Sequence, residues 1–373
     1  METGGFFHEL AGEDFYARII LTLSNAAGYT CVPRDQVTAT TKCVLFSWDW
    51  RKGMVVAATE LDELIDQLRS LRHDPMLKVD VVAHSAGGLV TRYFARFGSK
   101  DVLDETDPEI TLSGGRKLRQ AILIGTPNYG SITVLQKAIM GNRIVLAKLQ
   151  AETIATMPGM FQLLPHPDRT WMIDIKGHRL DTNLYDVATW HRHHWSIWDP
   201  TVRARIVSRF AEPAFAAAYM PALEAHFERQ LQRAARFHRA LSVPLADAPN
   251  KFIVFGSACF PTPARCLLEE IDGRAYMSLQ PSQIRRPIAG IRYDELMFEP
   301  GDGAVTKASL LARDSLHPDA AGSDFPIAWS VFVCARHDKL PANTTFRDNL
   351  LNIVLYGVRQ SSGRSALEES AVQ

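Results

Sequence analysis

The sequence contains no run of about 18 apolar residues, so nothing in it reads as a membrane-spanning helix. It carries no surplus of either charge: 41 Lys+Arg face 41 Asp+Glu, a formal net charge of zero. No basic patch or tail stands out, which argues against nucleic acid as a partner. An uncharged substrate fits this balance better than an anionic polymer. The cysteines make no CxxC pair, and no metal or cofactor is expected. His178, His191, His193 and His194 cluster along the chain, but no cysteine or carboxylate motif accompanies them, and they read as a solvated loop. The opening METGGFFHEL lacks a basic stretch followed by an apolar one, so no signal peptide is expected. No internal repeat is found.

The five cysteines, Cys31, Cys43, Cys259, Cys266 and Cys334, are an odd number. They are expected to be reduced thiols in a cytoplasmic protein, with a Cys259–Cys266 bridge as the alternative for an exported one. Asn343-Thr344-Thr345 matches a glycosylation sequon and is read as a chance match.

What is present is the composition of a globular enzyme: 373 residues, 46% hydrophobic and 22% charged. That length suits one large α/β domain with an insertion, or two domains. Apolar residues recur at helical spacing from Phe15 to Ala27, with Gly28 as a stop. A second amphipathic helix is expected from Val55 to Arg72 and a third from Leu89 to Phe97. Short apolar runs read as strands at Cys43–Phe46, Val79–Ala83, Leu118–Ile124, Lys251–Phe255 and Ser330–Cys334. Strands alternating with helices imply a mainly parallel sheet covered on both faces. From about Ser131 to Asn250 the rhythm breaks. This stretch holds Trp171, Trp190, Trp195 and Trp198, and a long helical segment from Val202 to about Leu241. The expected division is a core from 1–130, a helical cap or lid from 131–250, the rest of the core from 251–360, and a disordered tail from 361–373.

The strongest motif is Val79-Asp80-Val81-Val82-Ala83-His84-Ser85-Ala86-Gly87-Gly88. An apolar strand ends at a small residue, then a serine, then small residues, then a helix. This is the nucleophile elbow of the α/β-hydrolase fold, with Ala83 in place of the first glycine of GxSxG. The turn is so sharp that residues two places either side of Ser85 must be small. It also sets Ser85 at a helix N-terminus, where the N–H of Ala86 is the expected oxyanion donor.

A serine nucleophile needs a base, and the base needs an orienting carboxylate; in this fold they follow in the order Ser, acid, His. Asp302 sits between glycines in Glu299-Pro300-Gly301-Asp302-Gly303-Ala304-Val305, a loop able to turn tightly and aim a carboxylate. His337 follows the expected last strand. Asp272, Asp294 and Asp314 are the rival acids, and His317 the rival base.

These residues bring a family into view. Ser47-Trp48-Asp49-Trp50-Arg51 is similar to a Y-D-W-R stretch. Ala83-His84-Ser85-Ala86-Gly87-Gly88-Leu89-Val90 is similar to A-H-S-M-G-G-L-V. Gly125-Thr126-Pro127-Asn128-Tyr129-Gly130-Ser131 is similar to G-T-P-x-x-G-S. Phe255-Gly256-Ser257 through Pro261-Thr262-Pro263 is similar to G-T-G-x-P-T-P, and Gly301-Asp302-Gly303-Ala304-Val305 to G-D-G-T-V. In this order they resemble the lecithin:cholesterol acyltransferase-like family of lipases and acyltransferases. The resemblance implies cleavage of lipid or other acyl esters through an acyl-serine, with the acyl group passing to water or an alcohol. It implies a lipid or acyl-ester substrate, with the cap as the point of any peripheral membrane contact. An esterase acting on a non-lipid ester or polyester, and an inactive binding protein with the same fold, are the competing readings. The chain departs from the family at its front: the first strand and its P-G-x-x-G-S-like loop, which carries the second oxyanion donor, are not found, and Gly4-Gly5 is the nearest remnant.

Overall fold

The computed structural model describes residues 9–10, 13–14, 16–144, 147–245, 248–313 and 324–357. Gly4-Gly5, Phe15, Asp314, His317 and the expected tail 361–373 lie outside the described residues.

The fold is α/β. Helix α1 (Ala17–Ala27) ends at Gly28, whose left-handed backbone (φ 66°) lets its N–H reach back to the carbonyl of Ser24. Two short strands follow, β1 (Cys31–Pro33) and β2 (Cys43–Leu45), paired parallel to each other. Helix α2 (Met54–Arg72) leads to β3 (Val79–His84), and α3 (Ala86–Phe97) leads to β4 (Leu118–Ile124). After a long excursion the chain returns through β6 (Lys251–Gly256) and β11 (Ile327–Phe332), and ends in α7 (Thr344–Tyr356). Asn343, from the sequon-like triplet, caps α7 by accepting a hydrogen bond from the N–H of Phe346.

The main sheet runs β11–β6–β4–β3, parallel throughout. Its central strands are apolar on both faces because both faces are covered. Ala121, Leu123, Phe252 and Val254 pack under α2 and α3. Ile122, Ile124, Ile253 and Phe255 pack against α1 and α7. The last strand lies a few residues earlier than the expected Ser330–Cys334, so His337 stands five residues past its end.

The excursion between β4 and β6 is largely helical. It includes α4 (Ile132–Met140), the two-residue β5 (Met172–Ile173), α5 (Pro200–Val207) and α6 (Pro213–Ser242). The single long helix expected from Val202 onward is thus two, the second opening on Pro213, which suits a first helical turn. Trp190 and Trp198 stack edge-on against Phe227, each at 5.0 Å, and form the cap's own core. The cap also recruits chain from beyond β6. A hairpin of β8 (Cys266–Ile271) and β9 (Arg274–Ser278) pairs with β5, and Cys266 and Leu279 join the cap core. Between β6 and that hairpin lies β7 (Phe260–Pro263), which pairs antiparallel with β10 (Phe298–Gly301), the strand leading into the acid loop.

The cysteines pair in a way the spacing does not reveal. Cys31–Cys43 joins β1 to β2, and Cys259–Cys334 joins the loops after β6 and β11, with Cα atoms 4.4 and 5.4 Å apart. The fully reduced reading and the Cys259–Cys266 bridge both give way to these pairs. Cys266 is buried in the cap core, and burial pushes its thiol up to about 12.

Candidate active site

Ser85 sits at the bend between β3 and α3 with a strained backbone, φ 54° and ψ −123°. The bend is held because the Ser85 N–H donates to the Ile124 carbonyl at 2.8 Å and the Gly88 N–H donates to the Ser85 carbonyl at 3.0 Å. The small residues around it are explained by contact. A Cβ on Gly88 would lie 1.9 Å from Thr126 Oγ1, and one on Gly87 would already touch the Ala83 methyl at 3.6 Å. Ala83, in the GxSxG glycine position, is itself buried in the core beneath the elbow. Ala86 opens α3, so its N–H is among the helix amides without an intrahelical partner.

Asp302 is 2% exposed. One carboxylate oxygen accepts from the N–H groups of Ala304 (2.9 Å) and Val305 (2.7 Å), which fixes its aim. Both flanking glycines are required. A Cβ on Gly301 would lie 2.4 Å from the Val305 carbonyl oxygen, and Gly303 has φ 92°. The Gly303 N–H donates to Thr262 Oγ1 at 2.8 Å.

His337 arrives at the start of a single 3₁₀ turn after β11, and its own N–H donates to the Asp302 carbonyl at 3.0 Å. Its ring lies over Gly125, where a Cβ would meet the imidazole at 3.1 Å. The Nδ1–H donates to Asp302 Oδ2 at 2.8 Å, and Nε2 accepts from Ser85 Oγ at 3.0 Å, in the tautomer these partners dictate. Residues 35 and 252 positions apart thereby form one hydrogen-bonded relay.

The rivals stand elsewhere. Asp272 occupies the exposed turn of the β8–β9 hairpin, and Asp294 is exposed on a short helix. His191 and His194 are exposed, His193 stacks on Trp195 at 4.8 Å, and His178 pairs with Asp174 at 3.1 Å.

Sequence reasoning missed two supports. His84, next to Ser85, donates from Nε2 to the His337 carbonyl at 3.1 Å and accepts at Nδ1 from the Tyr16 hydroxyl at 2.9 Å. Burial, reinforced by the nearby His337, holds the His84 imidazole down to about 3, and burial raises the Tyr16 phenol to about 12. The second is Arg92 of α3, 1% exposed, which donates to Asn128 Oδ1 (2.9 Å) and to the Leu241 carbonyl (2.7 Å) near the end of α6. It ties α3 to the G-T-P loop and to the end of α6. A buried arginine within an apolar helix face is the signal that could have found it.

The profile of the lecithin:cholesterol acyltransferase family matches residues 22–212, more than half of the 373-residue chain. The chain belongs to this family. Among solved structures, a chain of the Tle4–Tli4 complex superposes with a TM-score of 0.55 at 15% identity, over 82% of this chain. This chain spans 66% of that one, just under two thirds of its length, and at such identity the likeness concerns the fold. Comparison with curated protein sequences finds no match.

Proposed function

We propose that the protein is a serine hydrolase or O-acyltransferase of uncharged acyl esters, lipids foremost. The observation that carries this is the continuous relay from Ser85 Oγ through His337 to the buried carboxylate of Asp302. His337 Nε2 takes the hydroxyl proton as Ser85 attacks the ester carbonyl. Asp302 holds the ring in its tautomer and balances the imidazolium charge. The Ala86 N–H, aided by the positive end of α3, stabilises the oxyanion. His337 then protonates the leaving alcohol, and water or a second alcohol releases the acyl group.

Lipid is favoured over other esters by family membership and by the neutral overall charge. The cap also exposes Phe215 (61%) and Tyr219 (38%), four residues apart on α6 and so on one helix face, as apolar points for a lipid surface. The two disulfides fit work in an oxidising compartment rather than in the cytosol.

The test is turnover of a p-nitrophenyl ester series by the full chain and by Ser85→Ala, with labelling by a fluorophosphonate. Wild-type turnover and labelling, both lost in Ser85→Ala at unchanged near-UV circular dichroism, are expected. Undiminished hydrolysis by the variant rejects the mechanism. Wild-type inertness to ester and probe alike favours the inactive binding reading.

A further inference from the structure

The Cys259–Cys334 disulfide stands where the chain divides toward the acid and the base of the relay. Strands β6 and β11 pair in parallel as far as Gly256 and Phe332, and the Val333 N–H donates to the Gly256 carbonyl at 2.8 Å. Beyond that rung the two segments part. The one leaving β6 passes through Cys259 into β7, where Phe260 pairs with Gly301 and Thr262 Oγ1 accepts from the Gly303 N–H. It therefore braces the glycines on both sides of Asp302. The one leaving β11 passes through Cys334 and reaches His337 three residues later. The disulfide joins the two segments just after they part.

A ring closes in this way: from Cys259 through Phe260 to Gly301 and Asp302, across the 2.8 Å bond to His337, and back through Cys334. Ser85 is no part of it. Two non-covalent ties span the same gap. The Arg336 guanidinium lies 4.9 Å over the Phe260 ring, and the His337 N–H donates to the Asp302 carbonyl at 3.0 Å. Asp302 has its own anchors in the Ala304 and Val305 amides, so it is the base that leans on the disulfide. Of residues 334–337 only Ala335 is buried. Both linked cysteines are exposed, whereas Cys31 and Cys43 are half-buried. A disulfide opens by thiolate attack on one of its sulfurs, and exposed disulfides are the ones that thiols reach. Arg336 is two residues from Cys334 and stacks on the residue after Cys259, so a cation stands beside the bond and favours the departing thiolate.

We propose that Cys259–Cys334 is a redox site that governs the relay: closed, it holds His337 against Asp302; opened by a dithiol, it releases the base from its position. This rests on the hydrolase reading and deepens it. One thiolate of the dithiol attacks either sulfur, forming a mixed disulfide and freeing the other cysteine as a thiolate. The second thiolate of the dithiol then attacks the mixed disulfide, frees the remaining cysteine and closes the dithiol's own S–S bond. Two electrons and two protons pass to the protein. The two cysteines are thus positioning residues, and the enzyme is competent where the bond persists and quiet where dithiols are abundant.

The test is a titration of the full chain with reduced and oxidised dithiothreitol, with opened thiols trapped by iodoacetamide and mapped by peptide mass. Cys259 and Cys334 should be alkylated before Cys31 and Cys43. In step with them, kcat for a p-nitrophenyl ester should fall about tenfold or more at nearly constant KM, because a base displaced by about 1 Å loses that much. Near-UV circular dichroism should be unchanged, and reoxidation should restore the rate. Cys31→Ser/Cys43→Ser should keep this response, and Cys259→Ser/Cys334→Ser should stay at the low kcat and ignore the dithiol; should the latter fail to fold, the wild-type titration alone decides. A readout free of turnover is the low-field proton resonance of the His337 Nδ1–H held by Asp302, which should broaden or vanish as the bond opens. Full kcat with both cysteines alkylated overturns the proposal. So does a loss of kcat that follows Cys31 and Cys43, or opening of Cys259–Cys334 only on global unfolding. If the oxidised chain cleaves no ester, the hydrolase reading fails by itself; loss of the resonance on opening still upholds the coupling, and its persistence overturns it.

Discussion

Replacing Asp302 by asparagine isolates the orienting role from the packing role. The carboxylate accepts three hydrogen bonds, two from the Ala304 and Val305 amides on one oxygen and one from His337 Nδ1 on the other. An asparagine side-chain oxygen can keep the two loop bonds. Its NH₂ group then faces Nδ1 as a donor, and the imidazole must move its proton to Nε2 to accept. Nε2 is the atom 3.0 Å from Ser85 Oγ, so the base loses the lone pair it needs. The expected loss in kcat is about 10⁴-fold, the scale of a wrong-tautomer relay, or about 5 kcal/mol of transition-state stabilisation. The stability loss should be smaller, about 1–3 kcal/mol, because one charge-assisted bond is weakened while the loop stays tethered. The assay is saturating turnover of a p-nitrophenyl ester beside thermal unfolding of the same preparation. A folded variant that retains more than a tenth of the activity refutes the assigned relay.

Three further outcomes are expected. His84→Phe removes the bridge from the Tyr16 hydroxyl to the His337 carbonyl, two bonds of about 1 kcal/mol each; kcat should fall with little change in KM, and an unaltered kcat denies the clamp. Gly88→Ala drives a methyl into Thr126 Oγ1, 1.9 Å from the built Cβ, and should cost about 1–3 kcal/mol in urea unfolding, whereas Gly28→Ala meets nothing within 4 Å and pays only for its left-handed backbone. His166 and His238 are buried, and burial holds the first down to about 3 and the second well below its usual value. The unfolded chain therefore binds more protons below about pH 6.5, and their contribution is complete above that pH and lost as pH falls toward 3. At pH 5 each should have cost about 2 kcal/mol, so the urea midpoint should drop between pH 7 and 5; His166→Gln should flatten that slope, and an equal slope in the variant would disprove the assignment.

Much of the fold was legible because its signals are local. Leu118 to Ile124 reads as a strand from an apolar run that follows basic residues and stops at Gly125. Gly28 marks a helix end because few other residues take its backbone angle. The G-D-G loop announced an aimed carboxylate because Gly301 avoids the Val305 carbonyl four residues on and Gly303 takes a positive φ that few other residues adopt. Other readings failed where distant partners decide. Nothing local gives Trp190 and Trp198 a partner; both pack on Phe227, on a helix that only tertiary packing brings near. Cys259 was read against Cys266, seven residues away, but pairs with Cys334 across 75 positions. Nothing beside His84 in the sequence marks its role, because Tyr16 and the His337 backbone that flank it come from 68 and 253 positions away.

The sequence by itself determined which residues can take part in the chemistry and in what order they come: a hydroxyl on an elbow of small residues, a carboxylate between glycines, an imidazole after the last strand. Those properties depend on neighbours only a few bonds away. The tertiary structure alone decided that Ser85 and His337, 252 residues apart, meet at 3.0 Å, that two cysteine pairs close, and that β3 lies beside β4. These are matters of which strand lies beside which, and strand pairing is set by the burial of whole faces rather than by any short stretch of chain.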